Sequence, residues 1–103
     1  EGGLQENAAR LGEFLLAELR ALKRRFPFLG DVRGRGLMIG LDFGDPDHPR
    51  PDLRDKAVRL AFEKGLLLLP AGPSALRIAP PLVLTQEEAA LGLEILEEVF
   101  RAL

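Results

Sequence analysis

The chain has no cysteine, one histidine (His48), one asparagine (Asn7) and two glutamines (Gln5 and Gln86). Without cysteine there is neither a disulfide framework nor a thiolate zinc site, so stability must come from packing. There is no cysteine nucleophile, the one histidine falls in a loop, and Ser74 is a turn residue without G-x-S-x-G context, so no triad is apparent. An excess of positive charge is also lacking: 14 Lys and Arg face 16 Asp and Glu, a net charge of −2. That balance gives no electrostatic case for nucleic acid or an anionic membrane as partner. No apolar run approaches the roughly 20 residues of a membrane span, and no signal-peptide pattern is present, so the expected location is the cytoplasm. Scarce amide side chains beside abundant Leu, Arg, Glu and Pro lean towards a thermophilic source.

What is there suffices for one domain. With 103 residues, 47% of them apolar, the chain can bury roughly two thirds of its unfolded surface. It begins at Glu1 and passes through Gly2 and Gly3 straight into a helical pattern. The expectation is therefore a piece of a longer protein.

Leu4, Ala8, Leu11, Leu15, Leu19, Leu22 and Phe26 recur at spacings of three and four, which predicts a helix over Leu4–Phe26 ended by Pro27. Lys23, Arg24 and Arg25 fall in its last turn, where cations suit the helix dipole; no aromatic interleaving makes them a nucleic-acid patch. Gly34, Gly36 and Gly40 miss the G-x-G-x-x-G spacing by one residue, and the residues that follow alternate as a strand rather than opening a helix. They are read as glycines for a bend, a bulge or close backbone approach. Gly44 to Pro51 is read as a polar loop, in which His48 with Asp45 and Asp47 makes a poor metal site. A second helix is expected over Leu53–Lys64, capped by Asp52, closed by Gly65 and burying Leu53, Ala57, Leu60 and Ala61. Thr85-Gln86-Glu87-Glu88 is a capping box with Leu84 and Ala89 at the staple positions. It opens a last helix with Leu91, Ile95, Val99 and Ala102 as its core stripe.

The stretch Gly65 to Leu84 organises the rest. It reads as a buried strand (Leu66–Leu69), a tight turn (Pro70–Ser74) and a second strand (Ala75–Ala79), stopped by Pro80 and Pro81. A short connection implies an antiparallel pair. The fold class is therefore α+β: a small, mainly antiparallel three-stranded sheet with helices on one face and Asp31–Arg33 as a candidate fourth strand. Within the apolar run Arg77 is the one charge, and alternation puts it on the face opposite Leu76 and Ile78. It is either a fixed fork for a carboxylate or phosphate, or a structural arginine paired with an acid on its own face, the commoner outcome for such a residue. Lys23, Lys56 and Lys64 all fall on helices near solvent faces or ends, so no Schiff-base lysine stands out.

The chain resembles the class III aminotransferases, fold-type I enzymes that use pyridoxal phosphate. The resemblance rests on Val32-Arg33-Gly34-Arg35-Gly36-Leu37-Met38-Ile39-Gly40, Gly65-Leu66-Leu67-Leu68-Leu69, Ala71-Gly72-Pro73, Leu76-Arg77-Ile78-Ala79-Pro80-Pro81-Leu82 and Thr85 to Glu88. It covers essentially the whole chain and implies the C-terminal small domain of such an enzyme, inactive by itself. The cofactor lysine, the pyridine-nitrogen aspartate and the phosphate loop are implied to lie in a large domain upstream, so no residue here takes those roles. Arg77 matches the family arginine that in several members binds the substrate carboxylate. The tetraleucine run and Pro-Ala-Gly-Pro turn look closest to the 4-aminobutyrate branch, implying 4-aminobutyrate and 2-oxoglutarate as substrates and a homodimer as the full enzyme. Ornithine, acetylornithine and amino-acid racemisation stay open, as does a stand-alone ligand-binding or interaction module. The reading frame upstream of Glu1 separates that last reading from the enzyme.

Overall fold

The computed structural model describes residues 2–35, 38–78 and 85–103. Its elements run α1 (Gly2–Arg25), β1 (Leu29–Arg35), β2 (Met38–Asp45), β3 (His48–Pro49), α2 (Pro51–Glu63), β4 (Leu69–Ala71), β5 (Ala75–Ile78) and α3 (Gln86–Arg101). The sheet is antiparallel in the order β1-β2-β5-β4, with the two-residue β3 pairing β2 off that path. The fold class is thus as expected, and the candidate strand at Asp31–Arg33 is a full seven-residue edge strand. Ala79, Pro80, Pro81, Leu82 and the staple residue Leu84 lie outside the described residues, as do Gly36, Leu37 and the Leu4 side chain.

Alternation divides the sheet into two faces. Leu29, Val32, Ile39, Leu41, Phe43 and Leu76 are buried towards the helices, and register pairs them across strands: Leu29 with Phe43, Val32 with Leu41, Leu41 with Leu76. The intervening Asp31, Arg33, Gly40, Asp42 and Arg77 occupy the opposite, open face. From α1 come Leu11, Leu15, Leu19 and Leu22, all buried as the helical spacing predicts. The β1 strand departs from regular register between Leu29 and Asp31. Gly30 sits at this bulge with its Cα so near the next strand that a Cβ would lie 1.7 Å from the Gly44 carbonyl oxygen. Only glycine fits there. The bulge thus falls at Gly30, ahead of the three glycines expected to allow one.

Three local expectations need correction. Helix α2 starts at Pro51, not after an Asp52 cap: Arg50 is the N-cap residue, with no side-chain cap, and Asp52 lies inside the first turn bound to Arg50 at 2.9 Å. The fixed φ of Pro51 suits the first helical position and moves the start forward. The tetraleucine run is not a continuous strand. Gly65, at φ +89°, closes α2 by donating to the Phe62 carbonyl while the Leu66 N–H reaches the Ala61 carbonyl, a Schellman ending. Leu66 then packs beside Gly92 and Leu68 is buried, so the ladder begins only at Leu69. In α3 the buried stripe is Ala89, Leu96, Val99 and Phe100, with Leu91 58% exposed. The helix is apolar around much of its circumference, and an aromatic cluster at its C-terminal end sets its rotation. Phe100 meets Phe26, Phe28 and Phe43 edge-on at centroid separations of 5.7, 5.8 and 6.1 Å.

The Thr85 capping box is present in full: Thr85 Oγ1 accepts from the Glu88 N–H, and Glu88 accepts from the Thr85 N–H. An ion pair ties the first and last helices, Arg25 donating to Glu97 at 2.9 Å, with Arg101 on the same carboxylate. The Arg25 hydrogen bond is the main reason that Glu97 titrates below the ordinary glutamate range. A carboxylate pKa depressed by folding adds stability above the unfolded value of about 4.3, which is lost as pH falls through the folded value. Glu97→Gln is therefore expected to flatten the loss of stability below about pH 4.3, read from urea midpoints across that range. An identical acid limb in the variant contradicts this.

Candidate functional site

On the open face of the sheet one cross-strand row runs Arg33, Gly40, Arg77, Leu69. Gly40 has no side chain, so nothing stands between the two arginines. The guanidinium of Arg33 lies over Gly40, with its carbon 3.5 Å from where a Cβ would be. Arg33 Nη1 donates to Asp42 Oδ2 at 2.9 Å and to Asp31 Oδ2 at 3.2 Å. These two aspartates face each other across β1 and β2, and like charges so placed repel unless a cation sits between them. The Asp42 hydrogen bond is the main cause that raises the Arg33 pKa above its already high value. Arg33 is thus paired, through Nη1, with two acids.

Arg77 is different. Leu76 beside it is fully buried, Ile78 is half-buried, and Arg77 itself is exposed on the open face, as alternation predicts. No hydrogen bond or ion pair joins its side chain to another described residue. It borders an open concavity of about 590 Å³ shared with Arg33, Met38, Asp42, Gly72 and Pro73. An exposed cation without an acid partner among the described residues is free to meet an anionic ligand. Among the described residues the lining of the concavity has no lysine, so those residues do not by themselves supply a group for a carbonyl cofactor. What the lining offers is the guanidinium of Arg77 beside the Arg33–Asp42 pair.

The other polar cluster is a turn. Asp45 Oδ1 accepts the N–H groups of Asp47 and His48 at 2.9 and 2.7 Å and lies 3.3 Å from His48 Nδ1. The His48 backbone bond is the main cause that lowers the Asp45 pKa. The segment expected as a loop is thus a two-residue hairpin turn, with Asp45 paired to His48. Among the described residues no group of three His, Asp or Glu side chains is placed to hold a metal ion.

Sequence reasoning missed Arg54. It is the one charged residue among the buried ones described, with its guanidinium beneath the β4–β5 turn. The available signal was spacing, because Arg54 precedes Ala57 and Ala61 by three and seven residues on the buried side of α2.

Comparison with known proteins gives the family of the chain. The family model for aminotransferase class-III matches residues 1–100. The chain belongs to the class-III aminotransferase family. The family is a pyridoxal-phosphate-dependent enzyme family. Similar relatives include an alanine/serine racemase of Pyrococcus horikoshii (43% identical over 98% of this chain and 22% of the relative). An acetylornithine aminotransferase of Gloeobacter violaceus is 44% identical over 97% of this chain and 24% of its own length. A 4-aminobutyrate aminotransferase of Escherichia coli is 41% identical over 94% and 24%. Among solved structures, lysine aminotransferase from M. tuberculosis in the internal aldimine form superposes with a TM-score of 0.88 at 30% identity, over 98% of this chain and 22% of that one. The chain spans about a quarter of the length of the relatives it matches. The family resemblance read from the residues is correct, whereas the three relatives' near-equal identities do not single out 4-aminobutyrate. Among the described residues no helix is long and apolar enough to cross a membrane.

Proposed function

We propose that this chain is the small C-terminal domain of a class-III aminotransferase that moves an amino group between an ω-amino acid and 2-oxoglutarate, with Arg77 binding a substrate carboxylate. The observation that carries the reading is the contrast between two neighbouring arginines. Arg33 is neutralised by Asp31 and Asp42, while Arg77, in the same row, has its fork free of any described acid. A planar guanidinium on a strand offers two parallel N–H donors to a carboxylate, and fixing that end of the substrate orients the reacting carbon. Pyridoxal phosphate, held by the large domain, supplies the carbanion-stabilising chemistry. On this reading the full enzyme is a cytoplasmic homodimer whose large domain faces the open side of the sheet.

The preferred amino donor is 4-aminobutyrate, on the look of the Leu66–Leu69 run and the Pro70–Pro73 turn. Acetylornithine or ornithine is the second reading, favoured by the 44% identity to the Gloeobacter enzyme. Racemisation is the third, favoured by the Pyrococcus relative. A donor panel decides among them. The full-length protein, loaded with pyridoxal phosphate and given 2-oxoglutarate, is expected to form glutamate fastest from 4-aminobutyrate. Glutamate formed faster from acetylornithine moves the assignment to that branch. No glutamate from any ω-amino donor, together with inversion of alanine or serine, overturns the transaminase reading.

A further inference from the structure

We propose that Arg54 is a positioning residue that fixes where Arg77 stands, an inference that rests on the carboxylate-binding reading of Arg77. The Arg54 side chain is 10% exposed. Its Nη1 donates to the carbonyl oxygens of Ala75 at 2.7 Å, Ala71 at 3.2 Å and Gly72 at 3.3 Å, and Nη2 donates to that of Pro73 at 3.3 Å. Nε is held by Asp55 at 2.7 Å, whose own side chain is 71% exposed. The remaining carbonyl of the turn, that of Ser74, accepts the Phe43 N–H at 2.8 Å. Every carbonyl from residue 71 to residue 75 is therefore engaged, four by one guanidinium and the fifth by β2.

Backbone carbonyls rarely converge so closely without a cation among them, because their negative ends repel. A guanidinium fills such a site with a rigid fork of five donors, whereas a lysine brings one compact ammonium that does not span it. Ala71, Gly72 and Pro73 also line the concavity, and Arg77 follows Ala75 by two residues on the same short strand. Arg54 thus holds from below the turn whose upper side shapes the concavity. A shift of that turn moves the wall and the base of the Arg77 side chain together. Positional errors of about 1 Å at an orienting group are enough to lower catalytic efficiency.

The test is a double-mutant cycle in the full-length enzyme with its cofactor. It reads the ratio of kcat/KM for 2-oxoglutarate to that for butanal, an acceptor without a carboxylate. A merely structural role for Arg54 lowers both and leaves the ratio alone. Arg54→Met is expected to lower the ratio about tenfold with Arg77 present and less than about twofold in an Arg77→Met background, since residues acting through one another are non-additive. Arg54→Lys keeps a cation near the Ala75 carbonyl and is expected to lower the ratio by only about threefold, with the same dependence on Arg77. It replaces Arg54→Met in the cycle should that variant fail to fold. A lowered ratio in Arg77→Met beside an unchanged or fully additive ratio in the Arg54 variants overturns this inference alone. A wild-type ratio in Arg77→Met overturns the carboxylate-binding reading, and this inference with it.

Discussion

In the full-length enzyme, Arg77→Lys is expected to lower kcat/KM for 2-oxoglutarate by about ten- to a hundredfold. The figure follows from losing a charge-assisted, two-pronged hydrogen bond, worth about 1.5–3 kcal/mol. The charge survives the substitution, so long-range attraction of the anion persists. What goes is the planar fork and the orientation it imposes. No described acid binds the Arg77 side chain, so its removal leaves no described carboxylate stranded within the domain. The loss should therefore appear in substrate kinetics without a matching fall in stability. Arg33 makes the instructive comparison. Arg33→Met leaves Asp31 and Asp42 facing each other without their cation, and its consequence falls on the β1–β2 pair. Unchanged kinetics of Arg77→Lys towards 2-oxoglutarate would return Arg77 to a structural role.

The largest effect on stability is expected at Phe100. This side chain is 1% exposed and is the hub on which Phe26, Phe28 and Phe43 meet. Those rings come from the residue just after α1, the turn that follows and β2, so Phe100 joins α3 to both the exit of the first helix and the sheet. Truncation to alanine removes the buried ring, its edge-to-face contacts and leaves a cavity between three elements, at a cost of about 3–5 kcal/mol. Domains of this size have about 5–15 kcal/mol in all, so the loss is a large share of the total. Phe62, which is 70% exposed at the end of α2, is the control: its alanine variant should stay within about 0.5 kcal/mol. Urea midpoints at constant slope measure both. A Phe100→Ala variant that loses less than about 1 kcal/mol contradicts the assignment of Phe100 as the junction of the core.

The elements that were legible in the sequence are those in which one local rule dominates. Leu11, Leu15, Leu19 and Leu22 form a clean stripe, and α1 buries it. The Thr85–Glu88 capping box and Gly65 are short-range motifs whose hydrogen bonds form irrespective of what packs nearby. Alternation through Leu76, Arg77 and Ile78 placed Arg77 on the open face, because a period of two leaves no other choice. Where several residues compete, tertiary contact decides. The four leucines Leu66–Leu69 read alike, yet Leu66 and Leu68 turn towards α3 and the core while Leu67 stays 68% exposed. In α3, leucine and isoleucine cover so much of the circumference that only the phenylalanine cluster sets the rotation. Arg54 escaped notice because a charge on a helix is ordinarily solvated. The partner that buries it is a set of backbone carbonyls on a turn 17–21 residues away, which leaves no mark in side-chain chemistry.

The most direct measurement is a crystal structure of the full-length enzyme with glutarate, a dicarboxylate of the same length as 2-oxoglutarate that does not react. One carboxylate is expected to lie on the Arg77 fork, its two oxygens about 2.7–2.9 Å from the guanidinium nitrogens. Glutarate bound elsewhere, with the Arg77 guanidinium closed onto an aspartate or glutamate of the protein, contradicts the account.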